Sequence, residues 1–234
     1  MSRSTVCVML AFVLGCVPAT GLGAVLCPFC DAPTLVMAEQ IQMCDHLLLG
    51  RYVSGVKSTE VTAGSSRFEI VEIGFSKGEK FQKGQILEIP QYVAAAEGAT
   101  FTLMGPEERL EDWNAPMEAT AAAWQYLSKM PLPTTDVEQQ GKRLEYFIPF
   151  FESSDMTISN DAFAEFAAAP YAVIKPLRDK LPREKILGWL NDPKVSVTRV
   201  GFYGLMAGLC GREEDAAILE HKIMTLDEIG RAHV

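Results

Sequence analysis

Cys27-Pro28-Phe29-Cys30 is the stretch of this sequence with the most chemical content. A CxxC pair supports thiol–disulfide exchange when the first thiol sits at a helix N-terminus, where its pKa falls below the free value of about 8.5. Cys27 would then be the nucleophile and Cys30 the resolving thiol. That chemistry is normally set in a βαβ unit, yet no strand-like run precedes the motif, and only a short helix within residues 34–43 follows it. The preferred reading is structural. It is either a local disulfide or a bond from the pair to Cys44, and Cys27, Cys30, Cys44 and Cys210 allow three pairings.

The Pro-Phe dipeptide looks like that of glutaredoxins, without their context. Asp31 excludes a covalent haem link, which needs His after the second cysteine. A third use is similar to secreted inhibitors of metalloproteases, which bind zinc through an N-terminal cysteine. It needs cleavage directly before Cys27, and Val25-Leu26 make a poor site. His46, His221 and His233 are the three histidines, and none sits in a zinc, nucleotide or nucleophile-elbow motif. Glu107-Glu108 with Glu111-Asp112, and Glu213-Glu214-Asp215, precede or open helices, where negative charge meets the positive end of the dipole. No catalytic residue, metal ligand or cofactor site is predicted outside the Cys27–Cys30 alternative.

Arg3 is the lone charge before an apolar run over residues 6–17, which Pro18 ends; small residues follow to Ala24. That is the pattern of a secretory signal peptide, too short for a membrane span of roughly 20 residues. Export to the periplasm or medium is expected. The alternative is a lipid anchor on Cys16, within the lipobox-like Val13-Leu14-Gly15-Cys16. Residues 229–234 read as the translation of a sequencing-adapter oligonucleotide and are expected to be non-native. The formal charge of −9 argues against a nucleic-acid partner, which needs clustered Lys and Arg.

Behind the cysteines the chain first reads as strands. Leu47-Leu48-Leu49-Gly50-Arg51-Tyr52-Val53 is apolar, and Arg67-Phe68-Glu69-Ile70-Val71-Glu72-Ile73 alternates with period two. Residues 85–89 and 100–104 add two more, so four to five short strands are expected in an antiparallel meander or small open barrel. After Gly105 the period becomes helical. Pro116 opens a helix with Met117, Ala121, Trp124 and Leu127 on one face. Pro131-Leu132-Pro133 breaks it. Leu144, Phe147, Ile148 and Phe151 stripe the next, Ser159 or Asn160 caps another with Asp161 in its first turn, and Pro182 opens a fourth. Ser196 caps a helix to Leu209, and Glu213 begins the last. Gly201, Gly204 and Gly208 share a face of the Ser196 helix, each costing about 1 kcal/mol against Ala. Tight packing within the chain is expected there, with a groove for a partner as the alternative.

Asn191-Asp192-Pro193, with Val197, Arg199, Leu205 and Leu209-Cys210-Gly211, resembles a HEAT-type repeat; Ser154-Asp155 with Ile158, Asp161-Ala162 and Phe166 is a weaker copy. The resemblance implies that Asp192 and Arg199 form an inter-repeat ladder. The opening Leu26-Cys27-Pro28-Phe29-Cys30, a strand pair ending in Lys-Gly and the run from Asp161 to Tyr171 also resemble an uncharacterised exported planctomycete-type protein family. That resemblance implies export and this domain order, and no particular activity. The expected fold class is α+β, an antiparallel meander or OB-like open barrel followed by an all-α HEAT-like helical-hairpin domain. The divisions are a signal peptide (1–24), a cysteine segment (25–44), a β domain with closing helix (45–130), a linker (131–138), the helical domain (139–228) and the tail (229–234). The expected function is exported, non-enzymatic binding or scaffolding with a protein partner and no membrane span.

Overall fold

The computed structural model describes residues 35–106 and 109–225. The stretch expected to be a signal peptide, Cys16, Cys27, Cys30, His233 and the stretch expected to be a non-native tail all lie outside them. A short helix α1 (Met37–Gln42) leads into strands β1 (His46–Val56), β2 (Ser65–Ser76), β3 (Ile86–Ile89) and β4 (Thr100–Gly105), and then a two-residue strand β5 (Met117–Glu118). Helices follow: α2 (Ala121–Lys129), α3 (Val137–Glu145), α4 (Met156–Ala168), α5 (Tyr171–Ile174), α6 (Arg183–Asn191), α7 (Val197–Cys210) and α8 (Ala216–Thr225). The class is α+β. The sheet is antiparallel, in the order β3-β2-β1-β4-β5.

The central strand explains why Leu47-Leu48-Leu49 is apolar without a break. Successive side chains point to opposite faces, and both faces are covered. Leu47 and Leu49 join a core built with the helices, through Trp124, Leu127, Leu144, Phe147, Ile158 and Phe166. Leu48 and Tyr52 join a second core with Phe68, Ile70, Leu87, Ile89, Phe101 and Leu103, closed by Phe81 and Trp113. β2 keeps its alternation because Ser66, Phe68 and Ile70 turn inward while Arg67 is exposed. Gly50 is glycine for space: a Cβ there would stand 2.6 Å from Leu103 Cδ1 and 2.9 Å from Phe68 Cβ.

Several expectations at helix ends are corrected. Met117 is not helical. It and Glu118 pair with Thr102 and Phe101 along the free edge of β4, and the helix starts at Ala121 because Thr120 Oγ1 accepts the Ala123 N–H at 3.0 Å. The stripe from Leu144 to Phe151 is not one helix. α3 ends at Glu145, and Pro149, without an N–H, leaves only a 3₁₀ turn over Ile148–Phe150. Asp155, rather than Ser159 or Asn160, caps α4, accepting from Thr157 N at 3.0 Å. Ser159 instead donates to the Phe151 carbonyl at 2.8 Å from inside the helix, which leaves Asp161 buried mid-helix rather than in the first turn.

The α6–α7 hairpin packs through Phe202, whose ring lies 5.1 Å from Phe151 and 5.0 Å from Phe163. Arg199 does reach across hairpins, donating to Glu152 at 2.9 Å and to Asn160 at 2.8 Å. Asp192 forms no ladder with it; its carboxylate accepts the Lys194 N–H at 2.8 Å. The expected tight packing at the α7 glycines is also corrected. Gly201, Leu205 and Gly208 are exposed, and a Cβ built on Gly204 or Gly208 would meet no atom within 4 Å.

Candidate functional site

A buried polar constellation lies where α1, α3 and α4 meet. Helix α4 is Ala- and Phe-rich, and Asp161 and Glu165 are its only charged residues. Four positions apart, they share one face. That face turns inward, leaving Asp161 at 6% and Glu165 at 2% exposure. An isolated buried carboxylate is costly, so each needs donors from other elements. Asp161 accepts the Met37 N–H at 2.9 Å and the Tyr126 hydroxyl at 2.7 Å. Glu165 Oε2 accepts from the Arg143 guanidinium, which also donates to the Pro131 carbonyl at 2.9 Å and lies 5.0 Å from the Phe147 ring. Tyr146 completes the layer, donating to the Tyr126 carbonyl at 2.7 Å.

Two acids face one guanidinium here, and the proton affinities follow. Burial pushes Glu165 up to about 7, with Asp161's charge adding to the rise, against the lowering from Arg143 and from the Ala38 amide. Burial also raises Asp161, opposed by the Met37 N–H, Tyr126 and Arg143. Tyr126 and Tyr146 are both raised, first by burial and then by Asp161. Glu165 Oε1 is buried and makes no hydrogen bond of ordinary geometry, the Ala38 amide acting on the carboxyl without one. The carboxyl borders a cleft of about 110 Å³ whose other walls include Val36, Glu39, Arg143, Ala169 and Val173. Chemically, the arrangement can hold a hydrogen-bond donor or exchange one proton near neutrality.

The residues singled out from sequence fall elsewhere. Cys27 and Cys30 lie outside the described residues, so the thiol–disulfide alternative gains no geometry. Cys44 and Cys210 are free thiols. Cys44 donates to the Gln40 carbonyl at 3.1 Å, and burial, then Asp45, raises its pKa; burial likewise raises Cys210. Neither is activated. His46 is buried between Phe81 and Trp113, with Nδ1 3.0 Å from Ser76 Oγ, while His221 is exposed on α8. No group of three or more His, Cys, Asp or Glu among the described residues is placed to hold a metal ion. Asp215 does more than favour a helix dipole: it takes Arg183 bidentately, at 2.6 and 2.7 Å, and the Arg212 N–H at 2.8 Å.

The Asp161–Glu165 pair was missed in the sequence. Its signal was two acids at i and i+4 in an otherwise apolar helix with no basic residue beside them. No helix of the described residues is long and apolar enough to cross a membrane. Compared with known proteins, the chain matches no family model and no curated sequence.

Proposed function

We propose that this chain is an exported, non-enzymatic binding or scaffolding protein that meets a protein partner along the outer face of α7. The observation that carries the reading is the bare surface there. Three glycines in one helix cost about 1 kcal/mol each relative to Ala. Gly204 and Gly208 have open space where a side chain would stand, so no close approach among the described residues offsets the cost of those two. An incoming backbone would offset it, and Leu205, 37% exposed between them, supplies an apolar contact.

The remaining parts suit this role. The α6–α7 hairpin, tied by Arg199 to the α4 layer, supports the HEAT-like reading, in which hairpins stack to present extended faces. The antiparallel sheet is not the simple meander expected, since β4 crosses over to pair with β1 instead of β3; that crossover, with a separate core on the face away from the helices, supports the OB-like reading. Arg3, the apolar run and Ala24 support export to the periplasm or medium, in the manner of the planctomycete-type family the sequence resembles.

A photo-crosslinker at Leu205 tests the partner claim in the exported fraction of the native cell. A discrete adduct is expected, and Gly204→Leu with Gly208→Leu, which fills open space and leaves the core alone, should abolish it. An adduct pattern unchanged by the double substitution would sink the proposal. Mass spectrometry of the native protein tests export: unprocessed cytosolic chain overturns it.

A further inference from the structure

We propose that the cleft between α1, α3 and α4 binds a primary ammonium group on a slender carbon stem, with Glu165 Oε1 as its acceptor. Glu165 is 2% exposed, and its carboxyl is under-used: Oε2 takes Arg143, and although the Ala38 amide is near enough to lower the group's pKa, Oε1 makes no hydrogen bond of ordinary geometry. A buried acceptor without a donor is a standing cost that a ligand N–H removes. The cleft beside it, about 110 Å³, has room for a small group only. Val36, Leu144, Ala169 and Val173 give it apolar walls that suit methylene groups.

The sign of the ligand follows from the charges around the acceptor. Asp161 faces it from the same helix, Glu39 from α1 and Arg143 from α3; Tyr126 of α2 and Tyr146 after α3 approach through Asp161. α5 contributes Val173 and no titratable group to the cleft. Three carboxyls against one guanidinium favour a cation and repel an anion. An ammonium also brings N–H donors, which a bare metal ion or a quaternary amine lacks.

Binding and proton release are coupled. Glu165 holds its proton up to about pH 7. Below that pH an arriving ammonium must expel it: the carboxylic acid becomes a carboxylate bonded to the ammonium, and one proton goes to solvent. Affinity for the probe therefore rises about tenfold per pH unit below 7 and levels off above it.

The experiment is calorimetric titration of the whole protein with propylammonium, at about one pH unit below and one above neutrality, in two buffers of different ionisation enthalpy. Expected are saturable binding in the millimolar range, inside the ceiling for so few non-hydrogen atoms, tighter binding at the higher pH, and proton release only at the lower. Ala169→Leu narrows the cleft without touching the carboxyl and should weaken binding at least about tenfold, with circular dichroism showing an unchanged fold; Glu165→Gln should do the same. 1,3-Diaminopropane and Nα-acetyl-lysine methylamide separate the sources: preference for the first means a free amine, for the second a lysine of another chain. Equal heats from tetramethylammonium, no saturation with propylammonium, or full binding by the Ala169→Leu variant would each overturn the proposal.

Discussion

Two buried arginine–carboxylate pairs hold the helical half together, and they behave in opposite ways. At the α1–α3–α4 junction, Arg143 serves Glu165 while Asp161 adds a second negative charge behind it, and the Glu165 carboxyl rises to about 7. Where α6 meets α8, Arg183 forks onto Asp215 and also donates to Glu214 at 2.9 Å, the Arg212 N–H adds a further donor to Asp215, and the Asp215 carboxyl falls below its ordinary value, first because of the Arg183 bonds. Asp215 has almost no accessible surface, but it lies just under the skin of the molecule with little protein packed around it. Depth thus decides whether a buried acid keeps its charge. The mere presence of an arginine does not.

The sharpest break of that comparison is to remove each guanidinium. Arg143→Met leaves two deep acids without their cation and should cost about 3–5 kcal/mol at neutral pH in denaturant unfolding, with part regained on acidification. Arg183→Met should cost clearly less, because Asp215 can be reached by water after a small movement. Equal losses at both sites would contradict the role given to depth.

Next in size is the pH dependence. Glu165 has a folded pKa above its ordinary 4.5, so its contribution is complete below about pH 4.5 and is lost as pH rises through about 7, at most about 3 kcal/mol. Asp215 is lowered, so its contribution is present above its ordinary 3.8 and is lost as pH falls through its lower folded value. Stability curves of Glu165→Gln should lose the slope between about pH 4.5 and 7, and those of Asp215→Asn only the acid-side slope. A Glu165→Gln curve parallel to the wild type would remove the proton from this account.

Two smaller changes refine it. Asp155→Ala removes the cap that aims α4, and should lower stability by about 1 kcal/mol without altering the pH profile. Gly204→Ala on the bare face of α7 should raise thermal stability, by up to about 1 kcal/mol. Destabilisation instead would mean that the glycine conceals a contact.

The sheet was largely legible because its signals are local. Period-two alternation marked β2, and Gly and Pro marked the ends of β3 and β4. β5 was not legible, since two residues carry no period and their pairing depends on an edge of β4, where Met117 meets Thr102 and Glu118 meets Phe101. Ser159 and Asn160 looked like caps by type, yet Asp155 won, and the Ser159 hydroxyl was already committed to a carbonyl eight residues back. The junction was hidden for a different reason. Its acids lie in one helix, its guanidinium 22 residues earlier, and its N–H donor 124 residues away. Only the unexplained presence of charge in an apolar helix could have flagged it.

β1 runs between two separate oily interiors, with Leu47 and Leu49 in one and Leu48 in the other. To expose any amide in that stretch, both interiors must part at once. The backbone protons of Leu47, Leu48 and Leu49 should therefore be the slowest in the molecule to exchange with deuterium, and their rate reports global unfolding. The strand is the seam that makes sheet and helices come apart as one body.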